Sequence, residues 1–309
     1  MIWGLPKSKR DKLFFTSLIP FSISLLSMLL LLVSILLFNS IESLSAYGLS
    51  LFTKTVWDPE NSVYGVLGPI LGTLITSLIS VSVSLVLSLS LAITIAEYLK
   101  GYLKKIVSSI LEFMGGLPTI IYAVWASEYL VPFLKNNVMK PLHTSLPFIP
   151  LFSCRPITGF STFAAGVALG ISTVPYVASI ILEAYENIPL IYREACYGIG
   201  ATKYEAIKTL LSLTRPAIIA ALILGFARSL GETTIVALTI GNSMTLTPCL
   251  FAPGYTVSAL VASQFANAFL YQHAESVLYA SMLVTTLISI ILSLYASKLI
   301  IDWRSRVVV

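Results

Sequence analysis

Apolar residues in this chain gather in long runs separated by short polar stretches. Six runs stand out: Leu13–Phe38, Val66–Tyr98, Ile106–Phe133, Phe160–Leu182, Ala217–Ile240 and Val277–Ile301. About 20 apolar residues carry a helix across the hydrocarbon core of a bilayer, so each run predicts one crossing. The second run, at 33 residues, is too long for one upright helix. Gly68, Pro69 and Gly72 predict that it begins with an irregular or interfacial piece. Gly115, Gly116 and Pro118 interrupt the third run, which also contains Glu112 and Glu128. A broken backbone at membrane depth survives only where protein or a cavity satisfies it, so this run is expected to face the bundle interior. The first run follows Lys7, Lys9, Arg10 and Lys12, like the start of a secretory signal. Its 26 apolar residues exceed the roughly 7–15 of a signal core, and no A-x-A site follows closely, so it reads as a retained span. The expected fold class is all-α, a polytopic membrane protein of about six transmembrane helices.

Composition agrees. The 309 residues are 57% hydrophobic and 11% charged, with a mean hydropathy of +0.90, where a soluble chain carries about 25% charged residues. That excludes a disordered chain, a nucleic-acid binder of the basic-patch kind and an ordinary cytosolic enzyme. The net charge of +5 changes meaning once it is mapped onto the runs. Fourteen of the 19 Lys and Arg fall in the N-terminus, the 99–105 and 183–215 loops and the C-terminus. The other loops hold Lys54, Lys135, Lys140 and Arg155, and Arg228 lies within a run. This asymmetry follows the positive-inside rule and predicts a cell-membrane protein with both termini cytoplasmic. Cys154 and Cys249 then lie outside and Cys196 inside. Without metal-ligand spacing, the outer two are expected to be unpaired thiols. His143 and His273, in external loops and far apart, are expected to be solvated. No phosphate-binding G-x-x-x-x-G-K-[ST] loop, H-E-x-x-H or G-x-S-x-G occurs.

The segment from Glu183 to Arg215 is polar, of mixed charge and patterned. Asn187 and Pro189 can open a short helix, running through Tyr192–Arg193–Glu194–Ala195–Cys196–Tyr197 until Gly198 and Gly200 break it. Thr202-Lys203-Tyr204-Glu205 has the form of a capping box and predicts a second helix toward Leu211. The product is a protruding knob, read equally well as a capped hairpin tying two spans together or as a docking element for a cytoplasmic partner.

The fifth run contains Ala227-Arg228-Ser229-Leu230-Gly231-Glu232-Thr233-Thr234. Arg228 falls close to mid-membrane, where a guanidinium costs roughly 2.5–3.5 kcal/mol on insertion scales. Arg228 and Glu232 are four residues apart and are expected to share a helix face. One reading is a self-neutralising structural pair. The other is function, because a guanidinium presents a planar fork of donors suited to a tetrahedral oxyanion, with Glu232 holding and tuning it.

Glu194-Ala195-Cys196, three residues, then Gly200-Ala201-Thr202 resembles the EAA-x3-G signature of ABC-transporter permease subunits. The run Phe226–Thr234, followed by Thr239-Ile240-Gly241-Asn242, resembles the fifth-helix motif of phosphate-specific ABC permeases. Ile95-Ala96-Glu97-Tyr98, Gly116-Leu117-Pro118-Thr119-Ile120-Ile121-Tyr122 and Tyr192–Thr202 resemble the same family, over about residues 70–300. The resemblance implies ABC importer permease architecture for residues 66–309, with coupling through 183–215. Residues 1–65 would supply a cytoplasmic tail, the first span and an external loop. Tyr192, Arg193, Glu194, Ala195, Gly200, Ala201, Thr202 and Glu205 would couple to a groove of an ATP-hydrolysing subunit. Arg228, Ser229, Glu232 and Thr233 would line the substrate pathway. The implied partners are two cytoplasmic ATP-binding subunits, a second related permease (suggested by Gly241-Asn242), an external phosphate-binding protein and membrane lipid. ATP and Mg would be held by the ATP-binding subunits, with no cofactor and no catalysis in this chain. Sulfate, molybdate or tungstate are alternative cargoes, which Thr233 disfavours. A non-transporting scaffold for cytoplasmic ATPases is the alternative of a different class.

Overall fold

A computed structural model describes residues 9–307 as a helical bundle, with extended pairing among these residues confined to an isolated bridge between Asp58 and Val63. The basic stretch Lys7–Lys12 lies outside the residues whose side chains are described. Helix α1 (Lys9–Tyr47) is followed by the short α2 (Ser50–Thr53). Most large apolar side chains of α1 are bare, as lipid-facing residues are. It is anchored at its far end, where Ser43 Oγ donates to the Ser276 carbonyl (3.0 Å) and the Ser43 amide to Ser276 Oγ (2.9 Å).

Helix α3 (Leu67–Ile93) corrects the expectation of an irregular start, because it is regular from its first turn and extends through a π-turn over Thr94–Tyr98. Pro69 falls in the first turn, where no N–H is needed. Gly72 is not a breaker: a Cβ there would stand 2.0 Å from the Tyr255 carbonyl oxygen, so glycine admits another stretch of backbone against the helix. α4 (Gly101–Gly116) and α5 (Thr119–Trp125) meet at a 93° bend. The break falls on Leu117, extended at ψ 136 as a residue before proline prefers. The Tyr122 hydroxyl spans it, donating to the Met114 carbonyl (2.9 Å). The path continues through π-turns and α6 (Val131–Leu134) to α7 (Lys140–Ser145), so the backbone breaks where Gly115, Gly116 and Pro118 predict. The segment does not face the bundle interior as expected: Phe113, Ile120, Ile121 and Val124 are exposed on the isolated subunit.

α8 (Thr162–Glu186) packs along α3. A Cβ on Gly166 would come within 2.6 Å of Ile79 Cβ, and one on Gly170 within 2.8 Å of Val83 Cβ, the close approach small residues permit. Hydroxyls on α3 serve two purposes. Ser82 and Ser90 bond back to their own helix, whereas Ser88 donates to the Val174 carbonyl on α8 (3.1 Å). Beyond α8 come α9 (Leu190–Gly198), α10 (Lys203–Leu230), α11 (Thr234–Thr239), α12 (Val257–Ala268) and α13 (Ala274–Val307).

α10 brings a second correction. The hairpin's second helix does not stop near Leu211, nor does the span start after Pro216; one helix runs through both. Among the described residues five helices are long and apolar enough to cross a membrane, or six if the bent α4–α5 pair makes one span. The expectation of two unpaired thiols is corrected too: Cys154 and Cys249 form a disulfide. The strip around Leu151 lies against Leu250, whose amide donates to the Leu151 carbonyl (3.0 Å), and this brings together cysteines 95 residues apart in sequence. Neither histidine is freely solvated. His273 Nδ1 lies 2.8 Å from a Glu42 carboxylate oxygen, and His143 Nδ1 lies 2.9 Å from the Phe152 carbonyl, both rings being half-buried.

Candidate functional site

The knob forms as its local chemistry dictates. α9 opens behind Pro189 and ends at Gly198, and Gly200, at φ +81°, makes the left-handed turn that ordinary residues avoid. Thr202 then caps α10 reciprocally. Its hydroxyl accepts the Glu205 amide, and Glu205 Oε2 accepts the Thr202 amide (2.8 Å) and hydroxyl (2.7 Å). α10 has 28 residues, about 42 Å at 1.5 Å per residue. That exceeds a hydrocarbon core of about 30 Å, so the knob projects beyond the lipid.

Tyr192, Glu194, Ala195, Gly200, Thr202 and Glu205 are exposed on the knob, and Ala201 is half-buried. Arg193 points elsewhere. Its Nη1 lies 2.6 Å from Glu97 Oε1 on the terminal turn of α3, and its guanidinium sits over the Tyr185 ring, 5.2 Å from the centroid. The knob also bears large apolar side chains in the open, with Ile199 87% and Tyr204 73% exposed, and with Leu190, Ile191 and Tyr197 beside them. Exposed apolar clusters of this kind are a common feature of interaction sites. Motif spacing does not identify these five residues; their place at the tip of a polar hairpin could have.

The second cluster surrounds Arg228. The helix ends two residues later, at Leu230, with Gly231 as its cap. Arg228 and Glu232 therefore do not share a helix face, which corrects the four-residue spacing reading. Among the described residues no ion pair joins them. The Glu232 carboxylate instead accepts the Thr234 amide at the start of α11 (3.2 Å), and its carbonyl accepts the Ser258 hydroxyl from α12 (2.8 Å). Ser229 turns inward, fully buried, sharing a 2.9 Å hydrogen bond with Ser80 of α3. Thr233 is half-buried with its hydroxyl on the Gly231 carbonyl (3.4 Å), beside the cleft that Leu32 and Leu36 of α1 help to line.

Arg228 itself faces out. It lies over the Tyr176 ring at 5.2 Å, within electrostatic range of the Tyr122 phenol, and is exposed on the isolated subunit. Among the described residues its guanidinium donates no hydrogen bond and meets no carboxylate. A cation in the last turn of an apolar helix, stacked on tyrosine and otherwise uncommitted, has its full fork of donors available to an anion. No cluster of His, Cys, Asp or Glu suited to a metal ion occurs among the described residues.

Residues 84–307 match the family described as the binding-protein-dependent transport system inner membrane component. Curated relatives include the probable phosphate transport system permease protein PstC of Methanocaldococcus jannaschii, 42% identical over 274 residues and 87% of each chain. The phosphate transport system permease protein PstC of Xylella fastidiosa is 32% identical over 237 residues, covering 75% of this chain and 73% of that one. That of Haemophilus influenzae is 30% identical over 270 residues, covering 85% and 86%. Among solved structures, an inward-facing form of the MetNI methionine ABC transporter aligns with a TM-score of 0.54 at 16% identity, over 80% of this chain and 99% of that one. That likeness shows the fold. With five helices of membrane length among the described residues and a family match over residues 84–307, the chain is a multi-pass membrane protein that belongs to the binding-protein-dependent transport system inner membrane component family.

Proposed function

We propose that this chain is the permease subunit of an ATP-driven importer of inorganic phosphate. The observation that carries the reading is the uncommitted Arg228 guanidinium on the exposed face of a membrane helix. Its curated relatives are named as phosphate permeases, and a tetrahedral oxyanion matches the donor fork. Because lipid cannot satisfy an exposed guanidinium, that face turns toward a second related permease and a passage between the two. The exposed apolar residues on the knob receive the two ATP-binding subunits, which hold ATP and Mg and do the hydrolysis; this chain performs none. Both termini are cytoplasmic, and residues 135–159 and 243–276 receive phosphate from an external binding protein. Residues 1–65 add a tail, a span and a loop to the permease unit of 66–309. Glu232 serves the pathway by fixing the break between α10 and α11 that leaves Arg228 at a helix end, with Ser229 and Thr233 holding the two sides of that break.

The test is ATP-dependent phosphate uptake into proteoliposomes holding the full importer, with sulfate, molybdate and tungstate as competitors. Uptake that requires ATP and is displaced by phosphate alone supports the reading. Displacement by another oxyanion at lower concentration transfers the assignment to that anion, and unimpaired uptake by Arg228→Ala refutes the role of the guanidinium.

A further inference from the structure

We infer that Glu97 is a positioning residue that ties the knob to the Arg228 site, with α3 as the strut between them. The inference rests on the reading of the knob as the place where ATP-binding subunits push. Glu97 occupies the π-turn that ends α3, and its side chain is only 7% exposed. A carboxylate buried this far is tolerable only when paired and hydrogen-bonded, and its partners come from different elements. Tyr185, near the end of α8, donates its hydroxyl to Oε1 (2.9 Å), and Arg193 of α9 pairs with the same oxygen (2.6 Å). The Glu97 carbonyl accepts the Lys203 ammonium from the first residue of α10 (2.8 Å), which also sits 4.0 Å from the Tyr98 ring centroid. The entry to the knob, its first helix and the start of its second are thereby fastened to two consecutive residues of α3.

The other end of the strut is equally specific. Ser80 of α3 shares its hydrogen bond with Ser229, the residue next to Arg228. Ser80 and Glu97 are 17 positions apart in one continuous helix, about 26 Å along its axis. Gly166 and Gly170 admit α3 close against α8 at Ile79 and Val83, and Ser88 donates to the Val174 carbonyl farther along, so α8 supports the strut between its two ends. A push on α9 is therefore delivered to the Ser80–Ser229 contact without passing through α10 and its internal Pro216. A hairpin held only for stability has no need of a buried charge, since apolar packing serves as well.

The experiment compares the unmodified importer with Glu97→Gln and Tyr185→Phe in the complete reconstituted complex. It measures co-purification of the ATP-binding subunits, ATP hydrolysis, and phosphate transported per ATP hydrolysed. The expected result is normal co-purification and continued hydrolysis, with transport per ATP reduced by about tenfold in Glu97→Gln, as for the loss of one charge-assisted hydrogen bond. Tyr185→Phe, which removes the hydroxyl and keeps the ring, is expected to show a smaller loss in the same ratio, and it decides the matter if Glu97→Gln fails to accumulate. Wild-type transport per ATP in the accumulating variants overturns the role of Glu97 and leaves the docking knob intact. Failure of the ATP-binding subunits to co-purify with the unmodified chain refutes the docking reading instead.

Discussion

Arg228 shows how one side chain changes meaning with its surroundings. A helical partner four residues on would make it half of a neutral pair, but the helix ends at Gly231 and the Glu232 carboxylate is engaged by α11. Arg228→Ala should therefore abolish phosphate uptake with membrane abundance unchanged, and Arg228→Lys should retain weak uptake, keeping charge but losing the planar fork. Adding Glu232→Gln to Arg228→Ala should restore nothing. Near wild-type uptake by that double variant, normalised to its abundance, would show instead that the two charges only neutralise each other. At the external surface, Cys154 and Cys249 should resist an impermeant maleimide in intact cells until a reductant is added, while Cys196, buried in α9, should stay unlabelled in both conditions. Labelling of Cys196 from outside would reverse the orientation.

At the scale of elements, the knob depends on one backbone conformation. A Cβ on Gly200 would meet nothing within 4 Å, so its φ of +81° is the whole constraint. A left-handed position costs an ordinary L-residue roughly 1–2 kcal/mol, while asparagine accepts it more readily. Gly200→Val should thus lower co-purification of the ATP-binding subunits several-fold and Gly200→Asn only slightly. Equal retention by both variants would mean the turn is not what presents the docking surface. Glu194→Lys, on an exposed position of the same knob, should weaken docking without altering helix content measured by circular dichroism.

Across the whole molecule, the C-terminal end of α13 closes the bundle over the knob's root. Trp303 is buried against Ala184 of α8 and Ala217 of α10, and its indole N–H donates to the Leu213 carbonyl (2.8 Å). Arg304 reaches Glu183 at 3.5 Å, an exposed pair that adds little. Trp303→Ala should cost about 3–5 kcal/mol by cavity formation, whereas Trp303→Phe gives up chiefly one hydrogen bond of about 1 kcal/mol. Thermal unfolding of the detergent-solubilised protein checks the order. A Phe variant as unstable as the Ala variant would mean the hydrogen bond, not packing, holds the closure.

The features legible in the sequence are those whose cause is local. Apolar runs of membrane length, the break at Gly115–Pro118, the Gly200 turn and the Thr202–Glu205 cap each follow from residues within a few positions of one another. Charge asymmetry between loops sets an expected orientation for the same reason, since each loop is counted alone. The tertiary structure decided everything that depends on how helices are rotated and packed. Cys154 meets Cys249 because the segments around Leu151 and Leu250 lie side by side, and Arg193 turns to Glu97 because α3 ends beneath α9. Pro216 passes unnoticed within α10, and Gly68 and Gly72 do not interrupt α3. A glycine or proline reads as a breaker when its own backbone is the sole consideration. Neighbouring helices reverse that reading by bringing in backbone that only glycine can admit, or by burying enough surface to carry a helix on through a missing hydrogen bond.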